Sequence, residues 1–135
     1  MRKYEKGHTA CEFKYDGARL QIHMPSITEW RKGDLSKATI FSRNMERINE
    51  KYQQVLNVLV DCSQPHVESF IIEGEMVAID HTAPTPKLLP FQVLQTNGNK
   101  DMCCFAFDLL YLNGESYIHV SLPGLYISNV ALIKT

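Results

Sequence analysis

The sequence predicts one α+β domain, in which several strands form a sheet and a long helix packs against it. Two segments, residues 68–80 and 102–112, are dense in β-branched and aromatic residues, which is typical of central strands. Residues 18–24 alternate between apolar and polar side chains, which predicts a half-buried strand. Apolar residues recur at helical spacing over residues 45–60, which predicts an amphipathic helix. A chain of 135 residues with 44% hydrophobic residues suits a single domain with its own core.

The first half of the chain is predicted to contain three short strands and this helix. A strand at residues 9–14 leads through the turn signal Asp16-Gly17 into the strand at residues 18–24. In that second strand the even-numbered residues face the core, and the polar residues between them face the other side. Residues 25–37 are polar and rich in turn formers, and residues 38–42 form a third strand. The helix follows, with Asn44 as its candidate cap.

The second half of the chain is predicted to supply the centre of the sheet. The strand at residues 68–80 is followed by three prolines, which predict a loop. After the loop comes a short strand at residues 91–95, and then the central strand at residues 102–112. This strand ends in Asn113-Gly114, a dipeptide typical of tight hairpin turns.

Composition and charge exclude several classes of protein. The 14 basic and 15 acidic residues give a formal net charge of -1, so any contact with nucleic acid must come from local placement of charge. No run approaches the roughly 18 apolar residues that span a bilayer, so no membrane insertion is predicted. The 4 cysteines lack the Cys-x2-Cys pairs of a zinc site. They are predicted to be reduced and mostly buried thiols.

Residues 11–19, with the sequence CEFKYDGAR, place a lysine at a strand end, followed by a tight turn and an arginine. A free lysine has a pKa of about 10.4, so a nucleophilic lysine needs burial, neighbouring cations or a metal to lower it. Gly17 lets the backbone turn tightly, and the planar guanidinium of Arg19 suits ribose or phosphate oxygens. Taken alone, the pattern of Lys14, Asp16 and Gly17 also describes an ordinary hairpin.

Acidic and aromatic residues on the two central strands are further candidates. Residues 70–80, FIIEGEMVAID, place Glu73 and Glu75 on one face of a mostly buried strand. Carboxylates there need a partner, such as Mg²⁺ or a nucleotide, unless they form an exposed polar stripe. Residues 105–116, FAFDLLYLNGES, include Phe107, which by itself is best explained as a core aromatic.

These segments, taken together and in this order, resemble the motifs of ATP-dependent DNA ligases, most closely the eukaryotic replicative type. CEFKYDGAR resembles the KxDGxR nucleotidyltransferase motif, and FSRN at residues 41–44, the EGE triplet and FAFDLLYLNGES are similar to later motifs. The resemblance covers about residues 8–118, and PFQVL at residues 90–94 adds to it. It implies part of an ATP-grasp-like nucleotidyltransferase domain with a curved, mostly antiparallel sheet and helices packed outside.

The resemblance implies a nucleotide site made by five residues. Lys14 would attack the α-phosphate of ATP and form a phosphoamidate. Glu12 would accept a hydrogen bond from the adenine amino group, which favours ATP over GTP. Arg19 and Glu75 would contact ribose or phosphate, and Phe107 would stack on the adenine ring. An mRNA capping guanylyltransferase and a non-catalytic nucleotide- or DNA-binding fragment remain alternatives.

Metal, DNA and cellular role are also implied by the resemblance. Glu75, and more weakly Glu73, would hold Mg²⁺, and Arg43 would contact nicked double-stranded DNA unless it is simply a solvated arginine. The parent enzyme would act in DNA replication, repair and recombination in the nucleus. Residues 1–117 would form a partial adenylation domain and residues 118–135 a divergent tail. Because later family motifs and an OB-fold domain do not occur in these 135 residues, the chain alone is expected to be weakly active or inactive.

Overall fold

A computed structural model describes residues 13–82, 84–95 and 101–119, together with the backbone of Ile133–Lys134. The strands within these residues are β1 (Ala18–Met24), β2 (Thr39–Ser42), β3 (Phe70–Asp80), β4 (Lys87–Leu88), β5 (Asp101–Leu112), β6 (Glu115–Ser116) and β7 (Ile133–Lys134). The helices are α1 (Ile27–Arg31), α2 (Asn49–Cys62) and α3 (Gln92–Gln95). The prediction of an α+β domain is confirmed.

The strands form one antiparallel sheet in the order β2-β1-β3-β5-β6, with β4 on β3 and β7 on β5. The two longest strands, β3 and β5, lie at its centre, as the density of β-branched and aromatic residues predicts. At the end of β5, Asn113 and Gly114 both have positive φ, at 46° and 99°. Such angles form the tight turn into β6, because glycine and asparagine tolerate them.

One face of the sheet carries the hydrophobic core. In β1 the buried residues are Leu20, Ile22 and Met24, which confirms the predicted alternation. The α2 residues that meet this face recur at helical spacing, namely Tyr52, Val55, Leu56 and Leu59. Burying each large aliphatic side chain contributes on the order of 1.5–3 kcal/mol, so this shared face holds α2 on the sheet.

The predicted start of the long helix is wrong. The helix begins at Asn49 with Ile48 at its cap position, four residues later than the prediction. Residues 42–48 instead form a turn in which Met45 has a φ of 62° and the Ser42 N–H donates to Glu46 O at 2.9 Å. Because this turn folds back on β2, Asn44 cannot cap the helix.

A short helix interrupts the segment that was predicted to contain only turns. Helix α1 begins after Ser26, whose side chain accepts a hydrogen bond from the Glu29 N–H at 3.0 Å. Its residues Ile27 and Trp30 are buried in the core. Five residues are too few to display helical periodicity, so packing and capping decide this helix.

Two predicted strands also differ from the structure. The segment at residues 91–95 is helical as α3, because Pro90 starts a turn in which its carbonyl accepts from the Val93 N–H at 2.9 Å. The strand predicted at residues 9–14 lies largely outside the described residues. Its last two members, Phe13 and Lys14, do not belong to a strand.

Within the described part of the chain, Cys62, Cys103 and Cys104 are free thiols. Cys103 and Cys104 are buried as predicted, whereas Cys62 is exposed. Burial raises the pKa of Cys104 to about 12, so this thiol stays protonated at neutral pH. None of the described helices combines the length and apolar character needed to cross a membrane.

Candidate active site

The face of the sheet opposite the core carries the predicted site. Residues that pair directly across antiparallel strands point to the same side, so the register defines rows of neighbouring side chains. Arg19, Glu75 and Phe105 form one row across β1, β3 and β5. Gln21, Glu73 and Asp108 form the next row. We call these the first and second rows.

The turn before β1 is fastened closely to β3. A Cβ atom added at Gly17 would lie 2.2 Å from the carbonyl oxygen of Met76, so only glycine allows this approach. The Gly17 N–H donates a hydrogen bond to the Glu75 carboxylate. Asp16 is tied to the segment before α3, because its Oδ2 accepts from the Phe91 N–H at 3.3 Å. The motif therefore forms a compact turn that brings Lys14 within electrostatic range of Glu75.

Glu75 lies at the centre of this arrangement and is half-buried. Burial raises the pKa of its carboxyl above the ordinary value, and Asp16 acts in the same direction. The Gly17 N–H and the positive charges of Lys14 and Arg19 oppose this rise. The structure thus brings Lys14 and Arg19 into electrostatic range of Glu75, which is partly desolvated, so that its ionic contacts are strengthened.

Glu73 is the buried charged residue of the site, with 7% of its surface exposed. Its two oxygens accept from Arg19 Nη2 at 2.6 and 2.5 Å, and Oε1 also accepts from Gln21 Nε2 at 2.9 Å. A buried charge is tolerated when its hydrogen bonds are satisfied, as they are here. Glu73 therefore anchors the Arg19 guanidinium in this arrangement, while its predicted weak role as a metal ligand stays a prediction.

The polar row on β1 continues beyond Arg19. His23 Nε2 lies 2.7 Å from Gln21 Oε1, and the ring meets Phe41 edge-on with 5.0 Å between centroids. Burial lowers the pKa of His23, so its neutral form is favoured. The alternation in the sequence placed Gln21 and His23 on this face, but it gave no sign that they support Glu73.

Phe107 has the exposure that a stacking residue requires. Its exposed fraction is 44%, although it belongs to a central strand. The register shifts between Glu73 and Gly74, so that Phe107 and Asp108 together oppose Glu73 as a β-bulge. Phe107 lies two residues after Phe105, so strand alternation places it on the side of the first row, away from the core, and the bulge brings Asp108 to that side as well.

The remaining predicted site residues lie apart from this cluster or outside the described residues. Arg43 is exposed in the turn after β2, and β1 separates that strand from β3. Glu12 lies outside the described residues. Lys14, by contrast, acts electrostatically on Glu75 within the cluster and is exposed at the start of the motif turn.

The structure adds two aromatic residues that the sequence interpretation missed. The rings of Tyr15 and Phe105 are stacked, with 3.9 Å between centroids and 12° between planes. Tyr15 follows the candidate nucleophile, and Phe105 belongs to the first row. The sequence pattern offered no signal for this pair, because contact between them depends on how the turn folds over β5.

Comparison with known families identifies the chain. The family model described as "ATP dependent DNA ligase domain" matches residues 1–124. The chain belongs to the ATP-dependent DNA ligase family. This family membership confirms the resemblance inferred from the motifs.

Full-length members of the family show how much of a ligase this chain covers. It is 38% identical over 131 residues to DNA ligase 1 of Arabidopsis thaliana, covering 90% of this chain and 15% of that protein. It is 43% identical over 118 residues to DNA ligase 1 of Dictyostelium discoideum, covering 80% of this chain and 9% of that protein. The chain therefore spans a small part of the length of these relatives.

Solved structures support the fold. The ligase domain of M. tuberculosis LigD matches with a TM-score of 0.58 and 22% identity, over 79% of this chain and 30% of that chain. Mycobacterial DNA ligase D complexed with ATP and MES matches with a TM-score of 0.55 and 24% identity, over 78% of this chain and 30% of that chain. These similarities confirm the DNA ligase fold predicted from the sequence.

Proposed function

We propose that this chain forms part of the ATP site of a DNA ligase and that Lys14 is the residue that becomes adenylylated. The observation that carries this proposal is that the charges of Lys14 and Arg19 both act on Glu75, which pairs directly with Arg19 across β1 and β3. This arrangement offers a nucleophile, a donor for oxyanions and a carboxylate for a metal or ribose within one small site. Phe107, on the neighbouring strand, adds an exposed aromatic surface for a base.

In the first step the lone pair of Lys14 Nζ attacks the α-phosphorus of ATP. A P–N bond forms, the P–O bond to the pyrophosphate breaks, and pyrophosphate leaves with that electron pair while the amine loses a proton. Arg19 and Glu75 orient phosphate and ribose oxygens, Phe107 stacks on adenine, and Glu12 accepts from the adenine amino group. AMP then passes to the 5′-phosphate of a nick, and the 3′-hydroxyl displaces it as the strand is sealed.

Mg²⁺ fits this site through Glu75. No group of three or more His, Cys, Asp or Glu side chains is arranged as a metal centre among the residues that the structure describes. Mg²⁺, however, is commonly held by one or two carboxylates together with substrate phosphates. When bound, it would neutralise phosphate charge. Glu73 is engaged by Arg19 and Gln21 and would support the site from behind.

We propose further that Arg43 contacts the backbone of nicked double-stranded DNA in the parent ligase. It is exposed on a turn at the edge of the sheet, where a duplex could reach it. Because the net charge of the chain is -1, such a contact would rely on local basic residues. A nuclear role in replication, repair and recombination follows from the same assignment and belongs to the proposal.

The 135 residues alone are proposed to seal nicks weakly or not at all. They match only 15% of one relative's length and lack the later motifs expected from the family resemblance. Those motifs would supply further positive charge to the departing pyrophosphate and exclude water. Residual nucleotide or DNA binding without chemistry is the alternative function for the isolated chain.

The test is incubation of the purified chain with α-labelled ATP and Mg²⁺, followed by denaturation and measurement of retained label. Wild type should retain acid-labile label, and Lys14→Ala should retain none because the nucleophile is gone. Lys32→Ala removes an exposed lysine far along the chain and should label like wild type.

Each other outcome has a distinct meaning. Label on Lys14→Ala at the wild-type level would overturn the assignment of the nucleophile. Label from GTP in preference to ATP would favour a guanylyltransferase. Saturable ATP binding with no covalent label on any variant would identify the isolated chain as a binding fragment.

A further inference from the structure

The backbone that carries Lys14 is not held by strand pairing. Phe13 and Lys14 lie outside the sheet, and Phe13 is 88% exposed. Yet a nucleophile is effective only when its position is fixed, because a displacement of about 1 Å can slow attack by about a hundredfold. The contacts that fix Lys14 must therefore come from the residues that follow it.

Tyr15 makes the contact nearest to Lys14. Its ring stacks on Phe105 with 3.9 Å between centroids, and an angle of 12° makes the rings nearly parallel. Phe105 is itself firmly placed, because it pairs with Glu75 in the centre of the sheet and follows two fully buried cysteines. The Tyr15 ring thus joins the Lys14 segment to the central strand β5.

We propose that Tyr15 is a positioning residue, whose stacking on Phe105 holds Lys14 within electrostatic range of Glu75. The hydrogen bonds of Asp16 to Phe91 and of Gly17 to Glu75 fix the far side of the turn. Tyr15 fixes the side nearest the amine. Without its ring, Lys14 would move relative to Glu75 while the rest of the turn remained in place.

The catalytic consequence rests on the proposed function of Lys14. The tether, by which we mean the stacking of Tyr15 on Phe105 that holds the backbone of Lys14, does not depend on that function. Adenine is assigned to Phe107 and ribose or phosphate to Arg19 and Glu75, so loss of the Tyr15 ring should leave ATP affinity nearly unchanged. The rate of attack should fall, because only the position of the nucleophile changes. This separation distinguishes a positioning role from loss of the whole site.

The kinetic test uses single-turnover labelling of the 135-residue chain over a range of ATP concentrations. Tyr15→Leu removes stacking but keeps apolar bulk, and its rate constant at saturating ATP should fall about tenfold to a hundredfold, with half-saturation within about twofold of wild type. Tyr15→Phe keeps the ring and should restore the wild-type rate. Tyr111→Leu is a matched control further along β5 and should label normally.

Equal losses in Tyr15→Phe and Tyr15→Leu would overturn the proposal, since the hydroxyl rather than the ring would then matter. An unchanged rate in Tyr15→Leu would overturn it as well. Unfolding curves recorded on the same samples verify that each variant is folded.

A second measurement tests whether the Tyr15 tether exists, even if wild type takes up no label. Ring protons of Tyr15 should be shifted upfield in NMR spectra of wild type, and the shift should disappear in Phe105→Leu. The backbone heteronuclear NOE of Lys14 should drop in Tyr15→Leu and remain at the wild-type value in Tyr15→Phe. Absence of the ring shift in wild type, or an unchanged NOE in Tyr15→Leu, would refute the tether. Failure of labelling alone would count only against the proposed function.

Discussion

At the scale of single residues, the site depends on close approach between backbones. Gly17 is in contact with β3, where any larger residue would meet the Met76 carbonyl oxygen and the Glu75 side chain. Glu75 in turn accepts from the Gly17 N–H. The conformation of the turn and the placement of the carboxylate are therefore parts of one contact, which explains why the motif needs glycine at this position.

Gly17→Ala is expected to destabilise the fold and disrupt the site together. The added methyl would sit 2.2 Å from the Met76 oxygen, so β1 and β3 would have to separate locally. We expect a loss of about 1–3 kcal/mol in the free energy of unfolding, typical of overpacking, and weaker ATP binding. Urea unfolding and equilibrium binding of ATP measure the two effects.

Gly33→Ala is the control for this substitution. Gly33 has a φ of 95° but nothing within 4 Å of an added Cβ, so it carries conformational strain without a clash. It should lose about 1 kcal/mol and bind ATP like wild type. If Gly17→Ala binds ATP as well as Gly33→Ala does, the close approach at Gly17 is not required for the site.

At the scale of elements, the outer edge of strand β2 forms hydrogen bonds with the start of helix α2. Asn49, the first residue of α2, accepts from the Ile40 N–H at 2.9 Å and donates to the Ala38 carbonyl at 2.8 Å. The Ile48 N–H also donates to the Ile40 carbonyl at 2.9 Å. An unpaired edge is open to association with other strands, so these bonds protect the sheet. They also set where the helix begins.

Asn49→Ala should therefore destabilise the junction between α2 and β2. It leaves the Ile40 N–H without its partner, and an unsatisfied buried donor costs about 1–3 kcal/mol. Thermal or urea unfolding of the variant gives the loss directly. Asn44→Ala is the matched control, because Asn44 is exposed and does not cap the helix. A similar stability for both variants would show that Asn49 does not hold the edge.

At the scale of the whole molecule, the sheet separates an apolar face from a polar one. The helices cover the apolar face, and the polar face carries the two rows with the chain of contacts from His23 through Gln21 and Glu73 to Arg19. Within this network, burial of His23 lowers the pKa of its ring and so couples the folding of the domain to pH.

We expect stability to fall as the pH decreases below about 6.5 because of His23. Burial lowers its pKa in the folded state from the ordinary 6.5, so the unfolded chain binds a proton first. The contribution is complete above pH 6.5 and is lost as the pH falls toward the lower pKa of the folded state. Urea midpoints measured in small pH steps on wild type and His23→Gln would show a smaller slope for the variant in this window.

Comparison with a second histidine isolates the effect. His66→Gln is the control for replacing a histidine, because His66 is exposed and lies outside the contacts of the polar face. Glu75 contributes to the pH dependence of stability with the opposite sign. Its raised pKa in the folded state stabilises the fold below about pH 4.5, and this contribution is lost as the pH increases above that value. Both variants retain Glu75, so this contribution cancels in the comparison. Equal slopes for all three proteins would contradict the assignment to His23.

The sequence by itself determined the family, the main strands of the sheet and the candidate members of the site. Alternation gave β1 with its buried and polar faces, and the dense apolar segments gave β3 and β5 nearly to their ends. These signals are local, since they depend on the period of side chains along one strand. Motif order added the family, because residues in four separated segments matched together.

Only the tertiary structure decided which of these residues meet and where irregular elements lie. The pairing of Glu73 with Arg19, the stacking of Tyr15 on Phe105 and the bulge at Phe107 depend on register between distant segments. The late start of α2 depends on Asn49 reaching the edge of β2. Such features arise from contacts between segments that lie far apart along the chain, and a local pattern of residue types does not encode that register.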